Sequence, residues 1–412
     1  MQAQSFISKF YLIINPGLED LALAELKANL AELENPKKHL GGIEFECDIF
    51  KGLELNAKLK IPSRILMRIE EFAASDFPKL FKKLQRVTWQ EMLWPQTPLR
   101  FEVSTEESRL SIKKRIASTA EDAIKKYFTS IKADQSNAEI KAPKNLTEQR
   151  IFLRIVKNIC TLSIDTSGEH LHKRGYRKLI GEAPLRENLA SALLNSLFDH
   201  AKNLDAQSYE LVDPMMGSGT FLLEAFHYFS GSQLRDYAFE AWPFVLKAHF
   251  ENSDAVVVPA EIAKIKSLFG FDQDEESIRI TKENFQSLVP GKSKGPSPKF
   301  ESQAGPQFEM LQKDVFQLEV LAQTNESARI LICNPPYGKR IKVEGKITDF
   351  YTRFFQVCAD KVKPKFAGFL ISDEVSENQI HFPKTWTLIE QLKFKNGGLK
   401  VRFLIFKDSK PA

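Results

Sequence analysis

Residues 209–226 read YELVDPMMGSGTFLLEAF. An apolar run from Tyr209 to Val212 ends on the acid Asp213, a turn rich in glycine follows, and an apolar helical stretch opens at Phe221. Strand, turn and helix in this order form the first unit of an open α/β sheet, whose ligands bind at the carboxyl edge of the strands. Gly217 and Gly219 let the backbone turn sharply and approach a flat ligand, and the start of the helix offers unpaired N–H groups. The spacing fits neither the dinucleotide fingerprint nor a phosphate loop with its lysine. Asp213 is suited to accept hydrogen bonds from a cationic ligand. A Gly-Ser-Gly turn also occurs as a plain tight loop, so function at this segment needs further support.

The same alternation continues outward. Leu268–Phe271, Ile330–Cys333, Phe366–Ile371 and Val401–Phe406 are apolar runs separated by helical stretches, which predicts a mostly parallel sheet covered by helices from about residue 185. Asp272 ends the second run where an acid can accept both hydroxyls of a ribose, with Asp274 competing for that role. Asp314, in Gln312-Lys313-Asp314-Val315, is placed to bond an adenine amino group. The interval between Asp213 and Asp272 is long and must hold an insertion containing Arg235, Phe239, Glu240 and Trp242. Gly291 to Gln307, dominated by Gly, Pro, Ser and Lys, is expected to be a mobile surface insertion.

Asn334-Pro335-Pro336-Tyr337-Gly338 directly follows the run Ile330–Cys333. An aromatic amine is a poor nucleophile because its lone pair is delocalised into the ring, so methylating it requires acceptors facing the amine where charge develops. The Asn334 side-chain carbonyl and the Pro335 backbone carbonyl can supply two, prolines fix the backbone, and Tyr337 can stack on a base. With an activated sulfonium as donor, alignment matters more than a strong base.

The first half reads as strand Phe10–Ile14, a turn at Asn15-Pro16-Gly17, and a helix with Leu18, Ala22, Leu26 and Leu30 on one face. Ile43–Cys47 is a further strand. Ile151, Leu153, Ile155 and then Cys160, Leu162, Ile164 read as a hairpin turning at Lys157-Asn158. Basic groups lie near Arg64 and Arg68 and at Lys113, Lys114 and Arg115, either a solvated face or an RNA surface. The chain has 58 Lys plus Arg against 53 Asp plus Glu, so any surface for a polyanion is a local patch rather than a global charge. Cys47, Cys160, Cys333 and Cys358 are far apart, and His170 and His172 have no companions at ligand spacing, so no metal site and no disulfide framework are expected. The start of the chain lacks a signal core and no long apolar stretch could span a bilayer, which predicts a cytoplasmic protein without membrane partners.

Asp213–Thr220 together with Asn334–Tyr337 resembles the class I, S-adenosylmethionine-dependent methyltransferases that act on exocyclic amines in nucleic acids. Gly17-Leu18-Glu19, Gly41-Gly42-Ile43, Asp165-Thr166-Ser167-Gly168, Leu171-His172-Lys173-Arg174-Gly175-Tyr176-Arg177 and Ala183-Pro184-Leu185-Arg186-Glu187 resemble the THUMP-domain RNA methyltransferases, and within them the bacterial 23S ribosomal RNA guanine-N2 group. The resemblance implies an α+β ferredoxin-like part over residues 1–50 and a THUMP RNA-binding domain over 51–165. A basic linker over 166–184 and a Rossmann-like α/β methyltransferase domain over 185–412 complete it. It implies S-adenosylmethionine as cofactor, held by Asp213, Pro214, Gly217, Gly219, Thr220, Asp272, Asp314 and Asn334, with catalysis by Asn334, Pro335, Pro336 and Tyr337. Structured RNA is the expected partner, with Lys113, Lys114, Arg115, Lys173, Arg174 and Arg177 as contacts, although Arg174 could equally serve packing. Some members carry a second methyltransferase domain after the first, and one methylation is expected of this chain. A tRNA guanine-N2 enzyme, an adenine-N6 methyltransferase and a non-catalytic ribosome-assembly protein remain alternative readings.

Overall fold

Two seven-stranded sheets account for the apolar runs. They are seen among the residues that the computed structural model describes: 6–131, 141–179, 181, 185–230, 234–250, 257–289, 305–322, 327–336, 346–375 and 379–409. The strands are β1 (Ile7–Ile13), β2 (Glu34–His39), β3 (Gly42–Asp48), β4 (Arg64–Ala73), β5 (Leu99–Glu106), β6 (Gln149–Val156), β7 (Ile159–Asp165), β8 (Ser208–Asp213), β9 (Ile265–Asp272), β10 (Gln307–Gln312), β11 (Ser327–Cys333), β12 (Phe366–Ser372), β13 (Trp386–Asn396) and β14 (Leu399–Asp408). The helices are α1 (Glu19–Asn29), α2 (Ile49–Lys58), α3 (Phe77–Gln85), α4 (Lys113–Ile131), α5 (Glu187–Ala201), α6 (Thr220–Ser230), α7 (Pro243–Lys247), α8 (Ala260–Ala263), α9 (Glu275–Gln286) and α10 (Ile347–Val357). Tyr337 and most of the 291–307 segment lie outside the described residues.

The chain divides into two compact units. The first holds Met1–Ile14, Asn29–Leu171 and Arg235–Ser253, and the second Asn15–Ala28, His172–Leu234 and Asp254–Ala412. The division at residue 171 falls inside the tract 166–184 expected as a linker, and two short segments cross over in sequence.

In the first unit the strand order is β2-β3-β1-β4-β7-β6-β5. Residues 1–50 and 51–165, expected as two domains, share this sheet, because β1 pairs with β3 on one side and with β4 on the other. Lys157 and Asn158 have φ of 49° and 64°, the paired positive values that a two-residue hairpin turn requires. The polar run Asp165-Thr166-Ser167 is wholly buried. Asp165 forms an ion pair with Arg64, Asn56 donates to Thr166 Oγ1 at 2.9 Å, and Ser167 Oγ donates to Asn56 Oδ1 at 2.7 Å. These bonds offset the cost of removing the groups from water. The insertion between Asp213 and Asp272 folds here too: Arg235 donates to the carbonyls of Ser167, Glu169 and His170, and Trp242 Nε1 donates to Gln149 Oε1 at 2.8 Å.

In the second unit the order is β10-β9-β8-β11-β12-β14-β13. The first five strands run parallel, and β14 lies antiparallel to both β12 and β13. Every residue of β8 and of β12 is buried, as expected of strands covered on both faces. The strand order reverses between β8 and β11, so a crevice opens at their carboxyl ends. The edge strands β10 and β13 were not foreseen, because an edge needs no continuous apolar run; β10 reads QFEMLQ with alternate residues exposed.

From His172 on, the tract expected to be a basic linker is part of this unit, while residues 166–171 belong to the first. Arg174 is 7% exposed and pairs with Glu224 of α6 at 3.5 Å, and Tyr176 Oη donates to Glu224 Oε1 at 2.8 Å. Arg177 pairs with Glu187 at 3.1 Å and donates to Thr220 Oγ1 at 2.8 Å. Lys178 N and Leu179 N both donate to Asn284 Oδ1 of α9. Arg174 is buried and Arg177 half-buried, and both guanidiniums, expected as RNA contacts, already hold a carboxylate partner, so an arriving phosphate would have to compete with it. Lys173 remains exposed.

Helix α10 is anchored by aromatic packing. Phe354 and Phe355 are fully buried among Phe369, Trp386 and Phe406, with ring centroids of Phe355 and Phe369 4.7 Å apart. Each such buried ring contributes about 1.5–3 kcal/mol. The helix is thereby held firmly beside the end of β11.

Candidate functional site

The crevice at the reversal point is a cleft of about 880 Å³. Asp213, Pro214, Gly217, Thr220, Asp272, Asp314, Asn334, Pro335 and Pro336 all line it, so the residues singled out in sequence converge although they come from four different strand ends. Gly219 sits one position behind, within the turn.

The glycine turn is closed by short bonds. Met216 N donates to the Phe271 carbonyl at 2.9 Å, Gly219 N to the Met216 carbonyl at 2.8 Å, and Gly217 N to Asp272 Oδ2 at 2.8 Å. Gly217 and Gly219 have φ of 53° and 70°, conformations that side chains strain. A Cβ on Gly219 would collide with Thr281, whose Oγ1 lies 2.9 Å from it, whereas a Cβ on Gly217 would meet nothing within 4 Å. Gly219 thus serves close packing of α9, and Gly217 keeps space open.

Asp213 is 1% exposed, and burial pushes its carboxyl up to about 8 against the opposing bond from Met215 N. Asp272 is also raised, first by burial, while Oδ1 accepts from Asp274 N at 3.0 Å. Asp274 is the N-cap of α9: Ser277 N and Ser277 Oγ both donate to Oδ2, at 3.0 and 2.8 Å, and the Ser277 bond holds its carboxyl below the usual range. Asp274 thus caps the helix, both Asp272 oxygens brace the glycine turn and the start of α9, and both acids line the cleft. Asp314 Oδ1 accepts from Phe316 N at 2.9 Å and so shapes the turn after β10.

Asn334 follows the buried end of β11, and its Oδ1 is buried with no hydrogen-bond partner among the described residues. A buried, unbonded carbonyl costs about 1–3 kcal/mol, so in a functional cleft it marks an acceptor awaiting a donor. The sequence did not point to Tyr351 of α10, which is fully buried and donates from Oη to the Pro336 carbonyl at 3.0 Å. Its only sequence signal is its place among the phenylalanines of an amphipathic helix. Phe316 and Phe350 complete the wall near the prolines, ring centroids 5.7 Å apart.

The sequence-predicted basic residues of the first unit are exposed at the start of α4. Lys113 and Lys114 stand in its first turn without an acid, against the positive end of the helix dipole, and the Arg115 guanidinium lies 4.1 Å above the Phe77 ring. No group of three or more His, Cys, Asp or Glu suited to a metal gathers among the described residues, nor is any helix there long and apolar enough to cross a membrane.

The RMKL-like methyltransferase domain family (UPF0020) matches residues 174–381. The chain is similar to the ribosomal RNA large subunit methyltransferase K/L of Syntrophotalea carbinolica, at 26% identity over 410 residues covering 97% of this chain and 53% of the relative. It therefore spans about half the length of that relative. It is also similar to slr0064 of Synechocystis sp., at 28% identity over 87% of this chain and 86% of the other. Among solved structures, SMU.472 complexed with SAH superposes with a TM-score of 0.74 at 23% identity, covering 99% of this chain and all of the other.

Proposed function

The chain belongs to the RMKL-like methyltransferase domain family, and on that premise we propose that it methylates the exocyclic N2 amine of a guanine in 23S ribosomal RNA, using S-adenosylmethionine. The observation that carries this reading is Asn334 Oδ1, a buried acceptor with no bond among the described residues, in a cleft at the reversal point of the sheet. The names of the K/L relatives supply the ribosomal substrate.

The residues fit the cofactor. Asp213, Asp272 and Asp314 face one cleft as acceptors for a cation, a ribose and an amine, and the space beside Gly217 admits a close approach. When bound, the cofactor supplies an activated methyl. This chain's part is to hold the target amine between Asn334 Oδ1 and the Pro335 carbonyl, where developing charge is stabilised, with Tyr337 stacking on the base. The nucleotide must leave its helix to reach them. The amine proton passes to solvent or to a nearby acceptor after transfer. Residues 1–165 act as the ferredoxin-like and THUMP part that binds structured RNA, with Lys113, Lys114 and Arg115 as its candidate phosphate contacts; Lys173 of the second unit is a further one.

Purified protein incubated with labelled S-adenosylmethionine and unmodified 23S ribosomal RNA or bulk tRNA, followed by mass spectrometry of the nucleosides, tests this. N2-methylguanosine in the ribosomal RNA is expected. N6-methyladenosine, or label in tRNA alone, overturns the substrate; no cofactor binding returns the protein to a non-catalytic role.

Two variants probe the site further. Asp213 is neutral below about pH 8, so a bound cation must first ionise it; cofactor affinity should rise up to tenfold per unit as pH climbs toward about 8, then level off. Asp213→Asn should flatten that profile in calorimetric titrations, and an unchanged slope would remove Asp213 from the cation site. Tyr351→Phe deletes the bond to the Pro336 carbonyl and should lower kcat about tenfold with cofactor affinity unchanged.

A further inference from the structure

The cleft is electrostatically lopsided. Asp272, Asp274, Glu276 and Asp314 line the end formed by the glycine turn, α9 and the turn after β10, with Asp213, neutral below about pH 8, buried beside them, and the one cation there among the described lining residues, Lys313, is paired with Glu319 at 3.3 Å. Such an end suits a cationic ligand and repels a phosphodiester. The wall formed by Pro335, Pro336, Phe316 and Phe350 contributes no acidic side chain of its own, although the Asp314 carboxylate accepts from Phe316 N beside it. Arg353 stands over it: one turn beyond Phe350 on α10, exposed, with its guanidinium carbon 4.1 Å from the centroid of the Phe316 ring.

We propose that Arg353, laid on Phe316 at the target end of the cleft, binds a phosphate of the RNA strand next to the nucleotide being methylated. This rests on the reading of the cleft as an RNA methyltransferase site. Stacking on Phe316 holds the planar group in place, so little side-chain freedom is lost when a phosphate arrives, and the fork of N–H donors stays open at its edges. Arg353 has no ion pair and no hydrogen bond among the described residues, so binding breaks no existing pair. Its helix is fixed by the Phe354 and Phe355 packing and by the bond from Tyr351 to the Pro336 carbonyl. The phosphate grip and the loop that meets the amine therefore share one rigid support. The strand must then enter from the α10 side, because the acidic end cannot accept the backbone.

The test compares wild type, Arg353→Gln and Arg353→Lys on in vitro transcribed 23S ribosomal RNA, with KM for RNA, kcat and the salt dependence of RNA binding measured together, and cofactor affinity measured separately. Arg353→Gln should raise KM for RNA about tenfold and reduce the slope of log affinity against log salt by about one ion, leaving kcat and cofactor affinity unchanged. Arg353→Lys should restore the salt slope and only part of the KM, because it keeps the charge and loses the planar stack. If Arg353→Gln matches wild type in KM and salt slope while wild type methylates the RNA, the inference falls and the function stands. If wild type neither methylates nor binds the RNA, the function reading falls and takes the inference with it.

Discussion

Asn334→Ala is expected to lower kcat about 10²- to 10³-fold while leaving affinity for S-adenosylmethionine nearly intact. The side-chain carbonyl is one of two acceptors available to the amine, and its contribution appears only as charge develops on nitrogen. Removing it should therefore act on the transition state rather than on cofactor binding. Stability supplies an independent readout. Oδ1 is buried with no hydrogen-bond partner among the described residues, so its loss relieves a desolvated group, and the melting temperature should hold or rise. Equal loss of turnover and cofactor binding, or a large fall in melting temperature, would show that Asn334 shapes the cleft instead of serving the reaction.

Gly219→Val should weaken cofactor binding about a hundredfold by a different route. The residue has φ of 70°, and its new side chain would run into Thr281 of α9, which is held in place because its Oγ1 donates to the Ser277 carbonyl at 2.9 Å. Backbone strain of about 1–3 kcal/mol and overpacking of similar size move the turn, which corresponds to roughly a hundredfold loss of affinity. Gly217→Ala is the informative companion. Its Cβ meets no protein atom within 4 Å, so a loss of cofactor affinity larger than the strain of about 1–3 kcal/mol that its φ of 53° imposes on a side chain reports that the ligand itself occupies the space. Calorimetric titration of both variants, with melting temperatures alongside, separates the two causes. Full affinity in Gly217→Ala would mean that the cofactor lies elsewhere in the cleft.

The second unit's parallel core and its site were legible in sequence for one reason. Buried parallel strands must be continuous apolar runs, and the carboxyl end of each run is the ligand edge, so Asp213, Asp272 and Asn334 could be placed without coordinates. The hairpin at Lys157-Asn158 was equally local. Edge strands were not legible: β2 reads ENPKKH and β10 QFEMLQ, sequences whose strand state comes from a neighbour's ladder rather than from their own pattern. Tyr351 was hidden because an aromatic on an amphipathic helix looks like core until its hydroxyl is seen to reach a carbonyl fifteen residues earlier.

Sequence by itself determined the class of sheet, the switch-point edge and the Asn334-Pro335-Pro336 motif that lies on it, because each arises from short-range order along the chain. Tertiary structure alone decided what the long-range partners are. It drew Arg174 onto Glu224, one of the two roles its sequence left open, and Arg177 onto Glu187, which its run of basic neighbours gave no reason to expect. It returned Arg235–Ser253 to the first unit, where Arg235 and Trp242 answer backbone and side-chain acceptors 65 and more residues away. It made Asp274 a helix cap and set the Asp272 carboxylate against the glycine turn, with both acids lining the cleft. A charged residue's role depends on whether a partner lies within hydrogen-bond reach in space, and that distance is not written in its neighbours along the chain.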